Sequence, residues 1–250
     1  MVDVSPSEQL DGKLDDIKAM GLVFALTERK ALDLVGSEYP KETHKLRLKK
    51  WASSNAKYKT KFIEHAKELL NSATLLFGFN VSSISMIKET GYKYWESYMG
   101  KIPAPSSFNK KNRPRVKMGN YKIEETLVTE YEILIDDLII IGWYAEALVT
   151  CFHTLIKINE NPVKLEVLLD RLPNEQGGDL YYKATLLKEL CNRASLGLVE
   201  VVGLPERPDV LQRDILTDNI AGLAYEINKN INSPHRQAST LFKFNRKNIE

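Results

Sequence analysis

The chain has 250 residues, of which 43% are hydrophobic and 27% are charged, and its formal net charge is only +2. This is the composition of a globular protein, and it excludes collagen, a coiled coil and wholesale disorder. A chain of this length buries most of its apolar surface without disulfide bonds. The small net charge does not by itself predict a polyanion as partner.

Hydrophobic periodicity and turn residues predict the secondary structure in chain order. Residues 101–122 contain prolines and no clear periodicity, so we predict a loop there, followed by one long apolar helix over 124–158. Strands that alternate with helices indicate an α/β fold in which helices flank one mixed sheet. The other predicted strands cover 2–4, 21–26, 73–81, 163–169 and 198–202, and the other helices cover 57–70, 83–99, 180–194 and 214–228.

We expect residues 1–250 to form a single domain, with residues 83–123 as an insertion made of a helix and a basic loop. The most apolar stretch, 138–156, carries Glu146 and His153. It is therefore predicted to be a buried helix of a soluble protein rather than a membrane span. On this apolar helix, His153 is expected to be a core histidine rather than a catalytic base.

The two cysteines, Cys151 and Cys191, are far apart and form no C-x-x-C motif. This excludes a disulfide scaffold and a thiolate zinc site, and it favours a reducing environment. The N-terminal residues are acidic and lack the apolar region of a secretory signal. We therefore expect a cytoplasmic protein without a membrane partner.

Basic residues are concentrated in three segments. Residues 41–67 contain nine Lys/Arg against two acids, and residues 101–122 contain seven and no acid. Residues 229–250, predicted as a basic C-terminal tail, contain five Lys/Arg and one acid. Such runs bind a phosphate backbone locally, although they also occur as solvated faces. The candidate nucleic-acid-binding residues are Lys45, Lys49, Lys50, Lys110, Lys111, Arg113, Arg115 and Lys117.

Carboxylates are the candidate catalytic groups. The sequence has no P-loop, no G-x-S-x-G and no H-E-x-x-H, and its four histidines are scattered. Asp3 lies between two valines, Asp170 directly follows a predicted strand, and Asp218 interrupts an apolar helix rich in small residues. Glu42 opens the first basic segment. The alternatives are a cap or turn for Asp170, and a solvent-facing or lysine-paired side chain for Asp218.

The order of these acids resembles the layout of RNase H-like nucleases: one in the first strand, one before or on the first helix, one at a later strand end and one in the last helix. Four segments resemble an uncharacterised bacterial family, "domain of unknown function 3800", an RNase H-like group often found near mobile elements and defence genes. They are VDVS at 2–5, ETHKLRLKKW at 42–51, VKLEVLLDR at 163–171 and LQRDILTDNIAGLA at 211–224.

This resemblance implies an RNase H-like mixed sheet and a metal-dependent nuclease that hydrolyses DNA or RNA, in phage defence or a mobile element. Asp3, Glu42, Asp170 and Asp218 would be catalytic, and Asp3, Asp170 and Asp218 would bind Mg²⁺ or Mn²⁺. Two hard cations held by carboxylates activate water and stabilise the leaving oxygen. For Trp51, Tyr58, Trp95 and Phe108 the expectation is core packing, and the alternative is stacking on bases.

One departure from the family pattern supports an alternative function. VDVS has valine where the family usually has glutamate, so the N-terminal ligand set would be incomplete. The chain would then be a catalytically inactive RNase H-like subunit that binds nucleic acid or a protein partner in a larger complex. A third class, an unrelated small-molecule enzyme, would instead show a deep apolar pocket away from these acids.

Overall fold

The computed structural model describes most of the chain in separate segments. The described residues are 2–5, 10, 12–25, 50–71, 75–102, 115–123, 126–159, 165–169, 179–196, 201–205 and 211–248.

Eight strands and five α-helices lie within these segments, together with two short 3-10 helices at Trp51–Ser53 and Arg236–Leu241. The strands are β1 (Val2–Ser5), β2 (Ile17–Ala25), β3 (Leu75–Ser83), β4 (Arg115–Ile123), β5 (Thr126–Leu134), β6 (Leu165–Leu169), β7 (Val201–Pro205) and β8 (Phe242–Asn248). The helices are α1 (Ala56–Asn71), α2 (Ile84–Met99), α3 (Ile135–Asn159), α4 (Asp179–Ala194) and α5 (Leu211–Lys229).

The main sheet has six strands in the order β7-β6-β1-β2-β3-β8. Strands β1, β2 and β3 are antiparallel neighbours, whereas β6 runs parallel to β1, β7 parallel to β6 and β8 parallel to β3. Strands β4 and β5 form a separate antiparallel ribbon. The protein is therefore mixed α/β, as the sequence predicts.

Two apolar cores lie on opposite faces of this sheet. Successive side chains of a strand point to opposite faces, and β2 divides accordingly. Met20 and Leu22 pack with α2, α3 and α4, whereas Ala19 and Val23 pack with α1 and α5. We call these the α3 face and the α5 face. Each face buries a continuous core, which fixes the register of the central strands.

On the α3 face, two glycines let helices α2 and α3 approach backbone to backbone. A Cβ atom added at Gly142 would lie 2.2 Å from the carbonyl oxygen of Gly91, and one added at Gly91 would lie 2.0 Å from that of Ile139. Helix α2 is also well delimited. The Ser83 hydroxyl caps it by accepting from the Met86 N–H at 3.3 Å, and Gly100, with φ of 117°, follows its last residue.

Two predicted elements are wrong. Within 101–122, the part that the structure describes is largely strand, because β4 begins at Arg115. Within 124–158, residues 126–134 form β5, and the helix begins only at Ile135. The segment TLVTEYEIL fits a period of two as well as a helical period, and pairing with β4 selects the strand. Of the last predicted strand, 198–202, the described residues 201 and 202 belong to β7, which continues to Pro205.

The remaining predicted elements are confirmed to within a few residues, and the segment predicted as a basic tail contributes structure. Its residues 236–241 form a 3-10 helix, and Phe242–Asn248 form β8 beside β3. Lysines and arginines on an outer strand discourage pairing with another chain. The basic character of this segment therefore has a structural explanation as an edge of the sheet.

Candidate functional site

The candidate site begins where α5 crosses the centre of the sheet. Asp3 on β1 is the Cα partner of Gly21 on β2. A Cβ atom added at Gly21 would lie 2.5 Å from the backbone nitrogen of Ala221 on α5. The absence of a side chain at Gly21 thus lets α5 rest directly on the strand next to Asp3. Asp218 precedes Ala221 by three residues, about one helical turn.

Asp218 is half-buried, and one of its oxygens has a defined partner. Its Oδ2 accepts a hydrogen bond from the backbone N–H of Trp51 at 3.0 Å. Trp51 is the first residue of a 3-10 helix, and a carboxylate satisfies an N–H there that the helix itself leaves unpaired. The neighbours Thr217 and Asn219 are fully buried. Asp218 is thereby joined to Trp51, a residue of the first basic segment that directly follows Lys50.

Trp51 extends along α5 over two helical turns. Its ring packs on Gly222, where an added Cβ atom would come within 2.6 Å of the indole. Its Nε1–H donates to Glu226 Oε2 at 3.1 Å. The residues 218, 222 and 226 follow one another at intervals of four, so they share one face of the helix. One tryptophan therefore contacts α5 at three successive positions.

Glu226 is the centre of a polar cluster that we call the Glu226 cluster, formed by Trp51, Lys59, Glu226, Ser233 and His235. Lys59 Nζ lies 2.6 Å from Glu226 Oε2, and 4.8 Å from the centroid of the Trp51 ring. The other oxygen, Oε1, accepts from the Ser233 hydroxyl at 3.0 Å and lies 2.7 Å from His235 Nδ1. Both oxygens of this carboxylate are therefore held by several groups.

The charge of Glu226 is stabilised by these contacts. Burial alone would raise the pKa of the carboxyl group, but hydrogen bonds from Lys59, His235 and Ser233 outweigh that effect and lower the pKa to about 2. Glu226 therefore stays ionised across the physiological range. It ties α5 to α1 and to the turn that precedes the second 3-10 helix.

The α3 face holds a smaller polar group around Glu146, which the sequence analysis did not single out as a site. Asn80 on β3 donates to Glu146 Oε2 at 3.4 Å and accepts from the Ser82 hydroxyl at 3.1 Å. All three are buried, as is Lys18, the Cα partner of Ser82. The signal for Glu146 was its place in an apolar helix, which predicts a buried and therefore partnered carboxylate.

The structure brings together only part of the predicted site. Asp218 lies on α5 as expected, and the backbone of Asp3 lies on β1, whereas the side chain of Asp3 is not described. Lys50 is exposed and directly precedes Trp51. Arg115 and Lys117 are on β4 and not in a loop. The predicted residues outside the described segments are Glu42, Asp170, Lys45, Lys49, Lys110, Lys111 and Arg113.

The register of the β4–β5 ribbon changes what is expected of Lys117. Its Cα partner on β5 is Glu132, and Gly119 faces Glu130. Opposite charges directly across an antiparallel pair attract each other. From this register we expect Lys117 to contribute less to phosphate binding than the basic residues 110, 111 and 113.

The aromatic residues proposed to stack on bases belong to the cores wherever they are described. Trp51, Tyr58 and Trp95 are buried, which confirms core packing, and Phe108 lies outside the described residues. Trp51 also makes edge contacts with Phe62 and His235, each with a centroid distance of 5.9 Å. The expected core position of His153 is wrong, because this residue is exposed on α3.

Both cysteines are buried and free, in agreement with the absence of a disulfide scaffold. Burial raises the pKa of Cys151 to about 12 and also raises that of Cys191. Thiols with such values carry almost no thiolate at neutral pH. Neither cysteine is therefore a nucleophile of the candidate site.

Among the described residues, no group of three or more His, Cys, Asp or Glu is arranged to hold a metal ion. That set does not include Glu42, Asp170 or the Asp3 side chain. No helix in the described segments is long and apolar enough to cross a membrane. Comparison with protein-family models, with curated proteins and with solved structures finds no match.

Proposed function

We propose that this chain is a metal-dependent nuclease of RNase H-like fold that hydrolyses phosphodiester bonds in DNA or RNA. The observation that carries the proposal is the junction of β1 with α5, where Gly21, the partner of Asp3, touches Ala221, one turn from Asp218. The two acids are 215 residues apart in the chain, so their elements meet only through the tertiary fold.

The third acid is linked to this junction by chain connectivity. Val2 is the Cα partner of Leu169, the last residue of β6. Asp170 follows Leu169 directly, and consecutive Cα atoms are about 3.8 Å apart. Asp170 is therefore attached to the strand beside β1. Ligands of open α/β sheets commonly bind at such strand ends.

The donor set suits a hard divalent cation, because it consists of carboxylates and Asp218 is already oriented by a hydrogen bond. Asp3, Asp170 and Asp218 would hold Mg²⁺ or Mn²⁺, with Glu42 as a fourth catalytic acid. The bound cations would supply activation of water and stabilisation of the leaving oxygen. The protein's own part is to fix the Asp218 carboxylate through the Trp51 N–H and to bind phosphates through basic residues such as Lys50.

A second candidate function is a catalytically inactive subunit that binds nucleic acid or a protein partner. The observation that favours it is the structural contact of Asp218. A carboxylate that accepts from the Trp51 N–H at 3.0 Å has a role in holding the first 3-10 helix whether or not a metal binds.

Cleavage assays distinguish the two functions. Labelled DNA and RNA, single- and double-stranded, are incubated with the protein in Mg²⁺, in Mn²⁺ and in EDTA. We expect cleavage with either cation and none in EDTA. A protein that binds these oligonucleotides but cuts none of them is the inactive subunit, and the nuclease proposal is then wrong.

Two substitutions locate the activity. Asp170→Asn and Asp218→Asn replace a metal-binding oxygen by an amide of nearly the same shape, and the amide oxygen at 218 still accepts from the Trp51 N–H. We expect both variants to fold and bind nucleic acid but not to cut it. Asp15→Asn, at an exposed acid on a turn, is the matched control. Wild-type cleavage by either site variant would remove that residue from the site.

A further inference from the structure

Trp51 contacts helix α5 at Asp218, at Gly222 and at Glu226. Its backbone N–H binds Asp218, its ring packs on Gly222, and its indole N–H binds Glu226. The N–H at the far end of the indole is anchored on Glu226. The anchor is a carboxylate whose partners, Lys59 among them, come from other elements of the fold.

We propose that Glu226 is a positioning residue for the candidate site: through Trp51 it holds the N–H of residue 51 on Asp218. In the same way it fixes where Lys50, which directly precedes Trp51, lies relative to that carboxylate. The inference rests on the proposed function, because it treats Asp218 as a metal ligand. Glu226 itself touches neither substrate nor metal in this assignment.

The geometry of Glu226 explains why it can act at this distance. One oxygen is fixed by Ser233 and His235, and the other by Lys59 and Trp51, so the carboxylate has no room to swing. Charge-assisted hydrogen bonds of this kind are the strong ones. Groups that orient a metal-binding carboxylate typically change metal affinity or activity by about 10–100-fold when they are lost.

The test compares Glu226→Gln and Trp51→Phe with the wild type. Glu226→Gln removes the charge that holds Lys59 and His235. Trp51→Phe removes only the indole N–H and keeps an aromatic ring on Gly222. The control is Glu89→Gln, which breaks an exposed ion pair with Lys93 on α2. All four proteins are first compared by circular dichroism, so that only the folded fraction is considered.

The first readout is the Mg²⁺ concentration that gives half-maximal cleavage. We expect it to rise about tenfold in Glu226→Gln and by a smaller factor in Trp51→Phe, and to stay unchanged in Glu89→Gln. A purely structural role would lower the amount of folded protein without moving this midpoint. Equal midpoints in an active wild type and both variants would overturn the inference and leave the nuclease assignment intact.

The second readout needs no activity. Hydrogen exchange at the Trp51 amide reports the bond to Asp218 directly. We expect exchange of the Trp51 amide to accelerate at least about tenfold in Glu226→Gln. The hydrogen bond from the Trp51 indole loses its charged acceptor there, so the indole no longer holds the Trp51 amide on Asp218. Unchanged exchange would overturn the inference even if the protein cuts nucleic acid. If exchange accelerates in Glu226→Gln but the wild-type protein neither cuts nucleic acid nor binds Mn²⁺ by titration calorimetry, the proposed function is overturned instead, and with it the assignment to a metal site.

Discussion

The two faces of the sheet are stabilised in different ways. On the α3 face, α2 and α3 cross at Gly91 and Gly142 with backbones in contact, and the core around them is mostly aliphatic. On the α5 face, a tryptophan and a charged cluster connect α5 to two short 3-10 helices and to α1. The α3 face therefore shows a direct contact between two helix backbones, whereas on the α5 face side-chain hydrogen bonds join α5 to the segments packed against it.

The buried tryptophans of the two faces differ in their polar contacts. Among the described residues, Trp143 Nε1 and the Tyr94 hydroxyl on the α3 face are buried without a hydrogen-bond partner. Burial raises the pKa of Tyr94. The indole nitrogen of Trp51, on the α5 face, is bound to a carboxylate. Trp143 thus contributes packing on the α3 face, whereas Trp51 also connects separate elements on the α5 face.

The largest expected effect comes from filling the helix crossing on the α3 face. In Gly142→Ala the new methyl group meets the Gly91 carbonyl oxygen, which belongs to a backbone that cannot move without separating the helices. We expect a loss of about 3 kcal/mol in the free energy of unfolding. Urea denaturation measures it, with Ser97→Ala on the exposed side of α2 as control. If Gly142→Ala lowers the free energy of unfolding no more than Ser97→Ala does, the helix crossing is not tightly packed.

The equivalent change on the α5 face should cost less stability and more function. In Gly222→Ala the methyl group meets the Trp51 ring, which can be displaced at the expense of its two hydrogen bonds. We expect about 2 kcal/mol of destabilisation together with faster exchange of the Trp51 amide. If Gly142→Ala also accelerates exchange at Trp51, the two faces are coupled and the distinction between them fails.

Acid should act on the α5 face through Glu226. Its pKa is lowered from 4.5 to about 2 in the folded protein, so its contribution is fully present above about pH 4.5 and is lost as the pH falls toward 2. The full shift corresponds to roughly 3 kcal/mol, which partial exposure of the carboxylate reduces to about 2 kcal/mol. We expect the stability difference between the wild type and Glu226→Gln to shrink across this window. A difference that is constant from pH 7 to pH 3 would contradict the assignment.

The smallest effect on stability is expected in the basic insertion. Neutralising Lys110, Lys111 and Arg113 should reduce the log–log salt slope of oligonucleotide binding by about 0.7–0.9 for each lost phosphate contact. Neutralising Arg115 and Lys117 should change it less, because Lys117 faces Glu132 across the ribbon. Affinity across a salt series compares the two sets. Identical slopes in the wild type and in the variant of Lys110, Lys111 and Arg113 would show that these residues do not contact the phosphate backbone of the oligonucleotide.

Most of the secondary structure could be predicted from the sequence because its local patterns are strong. The apolar spacing in α1, the serine cap and following glycine of α2, and the small apolar residues of α5 each specify a helix without help from the rest of the chain. The segment 126–134 could not be assigned in this way. The spacing of its apolar residues fits both the period of two of a strand and the period of a helix. Only its antiparallel pairing with β4 decides between the two.

In the candidate site, too, some features could be predicted from the sequence and others depend on the tertiary structure. The sequence by itself determined which acid lies within a strand, which follows a strand and which interrupts an apolar helix: Asp3, Asp170 and Asp218 respectively. Only the tertiary structure decided that Gly21 allows α5 to lie against β1, and that Trp51 meets Glu226 across 175 residues of chain. The reason is physical: local patterns fix backbone conformation, whereas a hydrogen bond between distant residues depends on how the packed elements bring them together.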